Sequence, residues 1–365
     1  MSTRARLRGF AVDTSALRHS PPFRRLWIGQ LVSLVGRQIT VVAVPFQVYS
    51  LTRSPLAVGG IGLVQAVCLI SASLAAGAIS DRFDKRRILL LTQLALAGCS
   101  VLLALGAISG HPPLVVIYAV VGVAAVFAAV DSPTRTAIIP SLVPVERLTG
   151  ALSLNIAMFQ ATLVAGPALG GLVIARFGLP VAYLFDVGTF AAALVAVALL
   201  PPLPSVSTLS EAPLAAIRRG LAFARHQPVI LGGFAMDLAA MVFGMPRAVF
   251  PVLATSTFHA GPAVLGLLYA APGAGAVVAA LTTGWPRHVS RSGRVIVASI
   301  AVWGVSIIAF GFAGSLWLAL GLLVVAGAFS AQVSVVSGGV LSLVGLAAAA
   351  LVFPAVWAYR TARVR

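Results

Sequence analysis

Residues 77–87, GAISDRFDKRR, place six charged side chains in eleven positions of a chain that is only 9% charged. Apolar runs flank them on both sides. A dense charge cluster between two such runs reads as a loop at a membrane surface, and the rest of the chain bears this out. Of the 365 residues, 60% are apolar, and the mean hydropathy is +1.05. A soluble chain of this length needs polar surface to cover its core, and this one cannot supply it. Its apolar residues come in blocks of about 20, the length of helix that crosses the hydrocarbon of a bilayer. A closed β-barrel would show short alternating segments instead. The fold class is therefore an all-α polytopic membrane protein.

The formal charge of +17 does not point to nucleic acid, because the basic residues sit in short clusters between apolar runs, where they determine topology. Cys68 and Cys99 each lie alone in an apolar run and read as packing residues, not as a disulfide or metal pair. Residues 1–25 are basic and polar with no apolar h-region, which predicts no cleavable signal peptide.

Spans are expected at 26–50, 56–79, 88–109, 112–130, 151–177, 180–201, 228–253, 261–284, 294–313, 315–331 and 333–356. This divides the chain into a cytoplasmic tail (1–25), a six-helix half (26–201), a linker (202–227), a second half of about five spans (228–356) and a basic tail (357–365). In the linker, Leu214, Ile217, Leu221 and Ala224 recur at helical spacing beside Arg218, Arg219 and Arg225, the pattern of an amphipathic surface helix. With the N-terminus inside, 21 of the 25 Lys and Arg residues fall on one side if the C-terminal tail is counted there. An odd span count would put Arg360, Arg363 and Arg365 on the other side, so either one boundary is wrong or a span near 329–335 is missing.

Two six-helix halves joined by a long linker imply a repeat architecture with a substrate site between the halves. The 77–87 loop has a weaker echo at 284–294, where the basic residues recur and the acidic ones do not. The pattern Gly77, Asp81, Arg82, Arg86, Arg87 between spans 2 and 3 resembles the loop motif of the major facilitator superfamily, with Asp84 where glycine is common. Gly166, Pro167, Gly170 and Gly171 in span 5 are similar to the superfamily's antiporter motif. Leu51-Thr-x-Ser54-Pro55, Asp131 to Arg135 and Phe243 to Arg247 resemble its enterobactin-exporter-like, macrolide-efflux-like branch. That resemblance implies twelve spans, so this chain has an apparent deletion around spans 10–11 and an incomplete second half. It also implies an arginine in span 4, where this sequence has Tyr118. It further implies export of an amphipathic small molecule, siderophore-like or drug-like, across the bacterial plasma membrane.

The residues themselves support specific roles. Gly77 permits close helix approach, Asp81 can pair with an arginine or a helix N-terminus, and Lys85, Arg86 and Arg87 can bind anionic headgroups. Together with Arg82 they form either a conformational latch or a plain cytoplasmic anchor. Pro167 kinks span 5 and its glycines admit a close neighbour, expected in span 8 at Ala271 to Gly275; the role is a proton seal or ordinary packing. Charges within spans are costly and mark function by default. Arg37 in span 1 and Asp237 in span 7 lie at similar depths and could pair across the cavity, with Asp237 as first choice of coupling carboxylate and Asp186 in span 6 as second. A static pair holding the halves together is the alternative. Gln38, Gln65, Asn155 and Gln160 could line a cavity or bond between helices, and Pro246 with Arg247 could form an outer gate or snorkel to headgroups. Asp131 and Arg135 read as helix caps that tie cytoplasmic loops together.

No phosphate loop, nucleophile–base pair or histidine metal spacing is present, so an enzyme, an ATP-driven pump and a metal or other cofactor are not indicated. The expected protein is a monomeric secondary transporter with a small-molecule substrate, protons as coupling ion and the lipid bilayer as its surroundings. A non-transporting remnant or scaffold, and a nutrient symporter, are the other readings.

Overall fold

A computed structural model describes residues 14–201, 246–282 and 292–329, all helix or short connection, with no strand among them. Span 1 is the helix Pro21–Thr52, span 2 Pro55–Arg82, span 3 Lys85–Ser109 and span 4 Leu114–Leu142. Spans 5 and 6 form one run, Val145–Ala198, broken at Gly178, whose φ of 81° and ψ of 174° only glycine adopts freely. Pro180 follows at once, so the break falls between 177 and 180, where the sequence predicts it. Span 8 is Pro262–Thr282, and two further apolar helices cover Ala298–Gly311 and Leu316–Phe329. The linker, most of span 7 and the last apolar segment lie outside the described residues.

Helix ends are specified locally. Ser20, Ser54 and Asp84 cap spans 1, 2 and 3 by accepting from the amides of Phe23, Ala57 and Arg87. Asp84, the departure from glycine in the 77–87 loop, is thus an N-cap. Arg53 closes span 1 in the left-handed conformation, with its guanidinium over the Tyr49 ring. Span 4 runs twelve residues past its predicted end at 130 despite Pro133 and Pro140. Prolines are tolerated in membrane helices where neighbouring groups adjust around them; beside Pro133, Thr134 donates to the Val130 carbonyl of its own helix at 2.7 Å.

The described residues fall into two compact units, 14–201 with 246–270, and 271–282 with 292–329. In the first unit, one end of spans 1, 3, 4, 5 and 6 closes on a cluster that includes Phe23, Leu26, Leu89, Ile138, Ala151 and Val197. Ser20 fastens this end twice, since its hydroxyl also donates to the Leu142 carbonyl at 2.6 Å. Ser20→Ala would remove a cap and leave a buried carbonyl unpaired. A loss of about 1–3 kcal/mol is expected, readable as a lower Tm of the detergent-solubilised protein. Span 2 packs on span 4, where Tyr118 donates to the Ala57 carbonyl at 2.6 Å and lies against Gly60. The residue standing in place of the superfamily's arginine is therefore a helix-packing residue here. In the second unit, Gly275 lies on the backbone at Val324 and Ala328, and Gly327 lies on the Pro272 carbonyl.

Candidate functional site

Span 1 carries its polar residues on the side that meets spans 3, 4, 5 and 6. Ser33, Gly36 and Gln38 are buried there, and Arg37 and Thr40 are partly so. Two carboxylates approach this face.

The first is Asp131, 1% exposed. Arg135, one turn further along span 4, donates to it from Nε at 2.8 Å and from Nη2 at 3.3 Å. Arg37 of span 1 forms an ion pair with it at 3.7 Å. Span 3 adds the Thr92 hydroxyl at 2.9 Å and the Gln93 amide at 2.8 Å, and Ser33 in turn donates to Gln93 at 3.5 Å. A buried ion pair is tolerated only where remaining lone pairs and protons find partners, and Asp131 meets that condition from three helices. Asp131 and Arg135 are thus not caps tying loops together, as expected from the sequence. They form the buried hub of spans 1, 3 and 4, because the helix continues past 130 and carries both inward.

The second is Asp186, also 1% exposed. Its carboxylate accepts from Thr40 of span 1 and Ser100 of span 3, each at 2.7 Å; the Thr189 hydroxyl of its own helix lies 3.4 Å away and donates to the backbone carbonyl of Asp186 at 2.6 Å. Among the described residues it makes no ion pair within 4 Å. Gly36 allows this approach: a Cβ there would lie 2.6 Å from Asp186 Oδ1. One turn away, Tyr183 donates to Gln47 at 2.7 Å.

Asp237 lies outside the described residues, and the ionic partner that Arg37 has among them is Asp131. Gln38 is buried against Gly166, while Gln65 is exposed and Asn155 and Gln160 are partly exposed. The antiporter-type motif is a packing junction. Gly166 faces Gln38 and Gly170 faces Ile39 of span 1, while Gly171 meets Pro262 and Gly266 of span 8, and Gly266 in turn lies on the Pro167 carbonyl. The predicted span 8 partner was Ala271 to Gly275. The observed one lies a turn or more earlier, where the Pro262 carbonyl and the bare backbone of Gly266 stand at the level of Gly171.

In the 77–87 loop, Gly77, Asp81 and Arg82 end the span 2 helix, and their side chains lie outside the described ones. Lys85, Arg86 and Arg87 open span 3, and Arg86 donates from Nη2 to the Ala198 carbonyl. A cation on the last carbonyls of span 6 offsets the negative end of that helix. Arg247 is exposed, after Pro246, in a 3-10 turn whose carbonyl accepts from Tyr269. Beyond it, a π-helical turn, Leu253–Thr257, brings Ser256 within 3.3 Å of the Tyr49 hydroxyl at the end of span 1.

Sequence and structure comparisons fit this picture. A family model described as transmembrane secretion effector matches residues 13–345. The enterobactin exporter EntS of Citrobacter koseri is 30% identical over 79% of this chain and 69% of its own length. That of Salmonella typhi is 30% identical over 85% of this chain and 76% of its own length. Among solved structures, a bacterial homologue of the iron transporter ferroportin in its inward-facing state aligns with a TM-score of 0.65 at 15% identity, over 89% of this chain and 84% of that one. A D-xylose-proton symporter aligns with a TM-score of 0.60 at 17% identity, over 84% and 80%. These structural likenesses carry the fold alone.

Proposed function

The chain belongs to the transmembrane secretion effector family of the major facilitator superfamily, in its enterobactin-exporter-like branch, and from that membership we propose that it exports a siderophore-like amphipathic molecule by proton antiport. It is a membrane transporter, not an enzyme. In this reading the protein works as a monomer in the bacterial plasma membrane with its N-terminus in the cytoplasm, an orientation that the arginine asymmetry supports. Substrate and proton compete for a cavity that opens alternately to either side.

The observation that carries the coupling is Asp186. Antiport needs a group whose charge state biases the conformational equilibrium, and that group must be able to take a proton within the membrane. Two hydroxyls, of Thr40 and Ser100, donate to the ionised form of Asp186, and the same oxygens can accept from it once it is protonated. No cation within 4 Å among the described residues holds it in one state. Asp237 of span 7, the span equivalent to span 1, would be a second carboxylate at the cavity. The 77–87 loop serves as the latch, with Arg86 bonding the end of span 6 in the conformation described.

Everted membrane vesicles test the export. Energised vesicles carrying the protein should accumulate an iron-free catecholate siderophore, and collapse of the pH gradient by a protonophore should release it. Accumulation unaffected by the protonophore would remove the antiport. Absence of any flux, with properly folded protein in the membrane, would favour the non-transporting remnant.

A further inference from the structure

The charges around Arg37 do not balance locally. Two guanidiniums, Arg37 and Arg135, converge on the single carboxylate of Asp131. Nη1 of Arg135 is buried with no hydrogen-bond partner among the described residues. Among the described residues the cluster therefore carries one more positive than negative charge, a costly condition where water is scarce. The next carboxylate along the same face of span 1 is Asp186, seated against Gly36, the residue adjoining Arg37. Thr40, one turn of span 1 beyond Arg37, bonds the Asp186 carboxylate at 2.7 Å. Arg37 is also the least fixed member of the group. Its side chain is 30% exposed against 7% for Arg135, and its contact with Asp131 is long, 3.7 Å against 2.8 Å.

We propose that Arg37 is a counter-charge shared by two buried carboxylates, and that Asp131 is a positioning residue that holds the guanidinium while Asp186 carries a proton. This rests on the reading of Asp186 as the proton-exchanging group. When Asp186 gives up its proton, the Arg37 guanidinium moves towards it and loosens the tie between spans 1 and 4. Protonation returns the guanidinium to Asp131. The coupling signal thus passes from span 6 to span 4 through a single side chain of span 1. Among the described residues, no other group around the pair offers this exchange. Span 3 presents the neutral Thr92, Gln93 and Ser100, and span 6 presents Tyr183, which is engaged with Gln47. On span 5 the charged residues Glu146, Arg147 and Arg176 stand near its ends. Arg135 is held by two bonds to Asp131.

The test compares the pH midpoint of export in proteoliposomes for the wild type, Arg37→Gln, Arg37→Lys, Asp131→Asn and Asp186→Asn. Removing the cation disfavours the ionised carboxylate, so Arg37→Gln should move the midpoint to higher pH by about one unit or more. Removing the competing acid leaves Arg37 to Asp186, so Asp131→Asn should move it to lower pH by about one unit. Arg37→Lys should stay near the wild type. The same opposed shifts should appear in the infrared band of the protonated Asp186 carboxyl, identified by its loss in Asp186→Asn. That readout needs folded protein but no transport. Asp131→Asn keeps an acceptor for Thr92 and Gln93 but leaves two guanidiniums without a carboxylate; Arg37→Gln, which relieves the excess charge, carries the test where Asp131→Asn does not fold. Opposed shifts support the shared counter-charge. Unmoved midpoints and bands in Arg37→Gln and Asp131→Asn, with pH dependence lost in Asp186→Asn, would overturn it and leave the role of Asp186 intact. Unchanged pH dependence in Asp186→Asn would overturn both.

Discussion

Leucine in place of Gly171 is expected to leave no monodisperse protein after detergent extraction, whereas alanine at Gly98 is expected to be neutral or slightly stabilising. A Cβ on Gly171 would lie 2.8 Å from the Gly266 Cα and closer still to the Pro262 carbonyl. Both neighbours are backbone, so neither can rotate away. Overpacking a core costs about 1–3 kcal/mol where side chains can adjust, and here the span 8 helix would have to shift as a body. Gly171→Ala should already cost an amount in that range, and Gly266→Ala should match it, since each glycine faces the other. Gly98 has nothing within 4 Å, so alanine there contributes only its better helix propensity, about 0.5–1 kcal/mol. Fluorescence-detected size exclusion after a heating series reads all four variants. A Gly171→Leu protein as heat-resistant as the wild type would mean that spans 5 and 8 do not meet at this junction.

Asp186→Asn is expected to abolish gradient-driven accumulation while keeping exchange of substrate across a membrane with no gradient. Asparagine has nearly the shape of aspartate and its carbonyl can still accept from Thr40 or Ser100, so the helices should assemble as before. It cannot gain or lose a proton near neutral pH. The conformational equilibrium then no longer responds to the pH difference, although substrate can still bias it. Vesicles carrying the variant should fill only to the outside concentration, and counterflow of labelled substrate should continue. Accumulation at the wild-type level would move the coupling role away from Asp186. Loss of counterflow together with accumulation would mean that the substitution had damaged binding.

Much of this architecture is legible in the sequence, because membrane helices announce themselves by length and composition. The break between spans 5 and 6 was readable, at Gly178 and Pro180, whereas the caps Ser20, Ser54 and Asp84 emerge only from the structure. The glycines of span 5 were readable as a close-packing surface. Their partner was not, because Gly266 has no distinguishing neighbours and the showier Ala271 to Gly275 segment lies one to two turns on. The buried hub was missed for a related reason. Read from the sequence, span 4 ends at 130, which puts Asp131 and Arg135 at its inner end beside a loop. Their i, i+4 spacing was the available signal: an acid and a base four apart beside an apolar run form a pair that a helix can carry into the membrane. The pairing of Arg37 with Asp131 joins residues 94 positions apart, and only the packed fold decides such a partner. The Thr40 and Ser100 hydroxyls on Asp186 come from residues that no local pattern distinguishes from helix-packing serines and threonines.

One measurement reaches the central claim directly. Purified protein is reconstituted into liposomes loaded with a pH-sensitive dye, and a catecholate siderophore gradient is imposed with no initial pH difference and the membrane potential clamped. Downhill movement of the siderophore should drive protons the opposite way, seen as a change of lumenal pH that Asp186→Asn eliminates. Siderophore flux at the wild-type rate with no change in lumenal pH would contradict proton antiport.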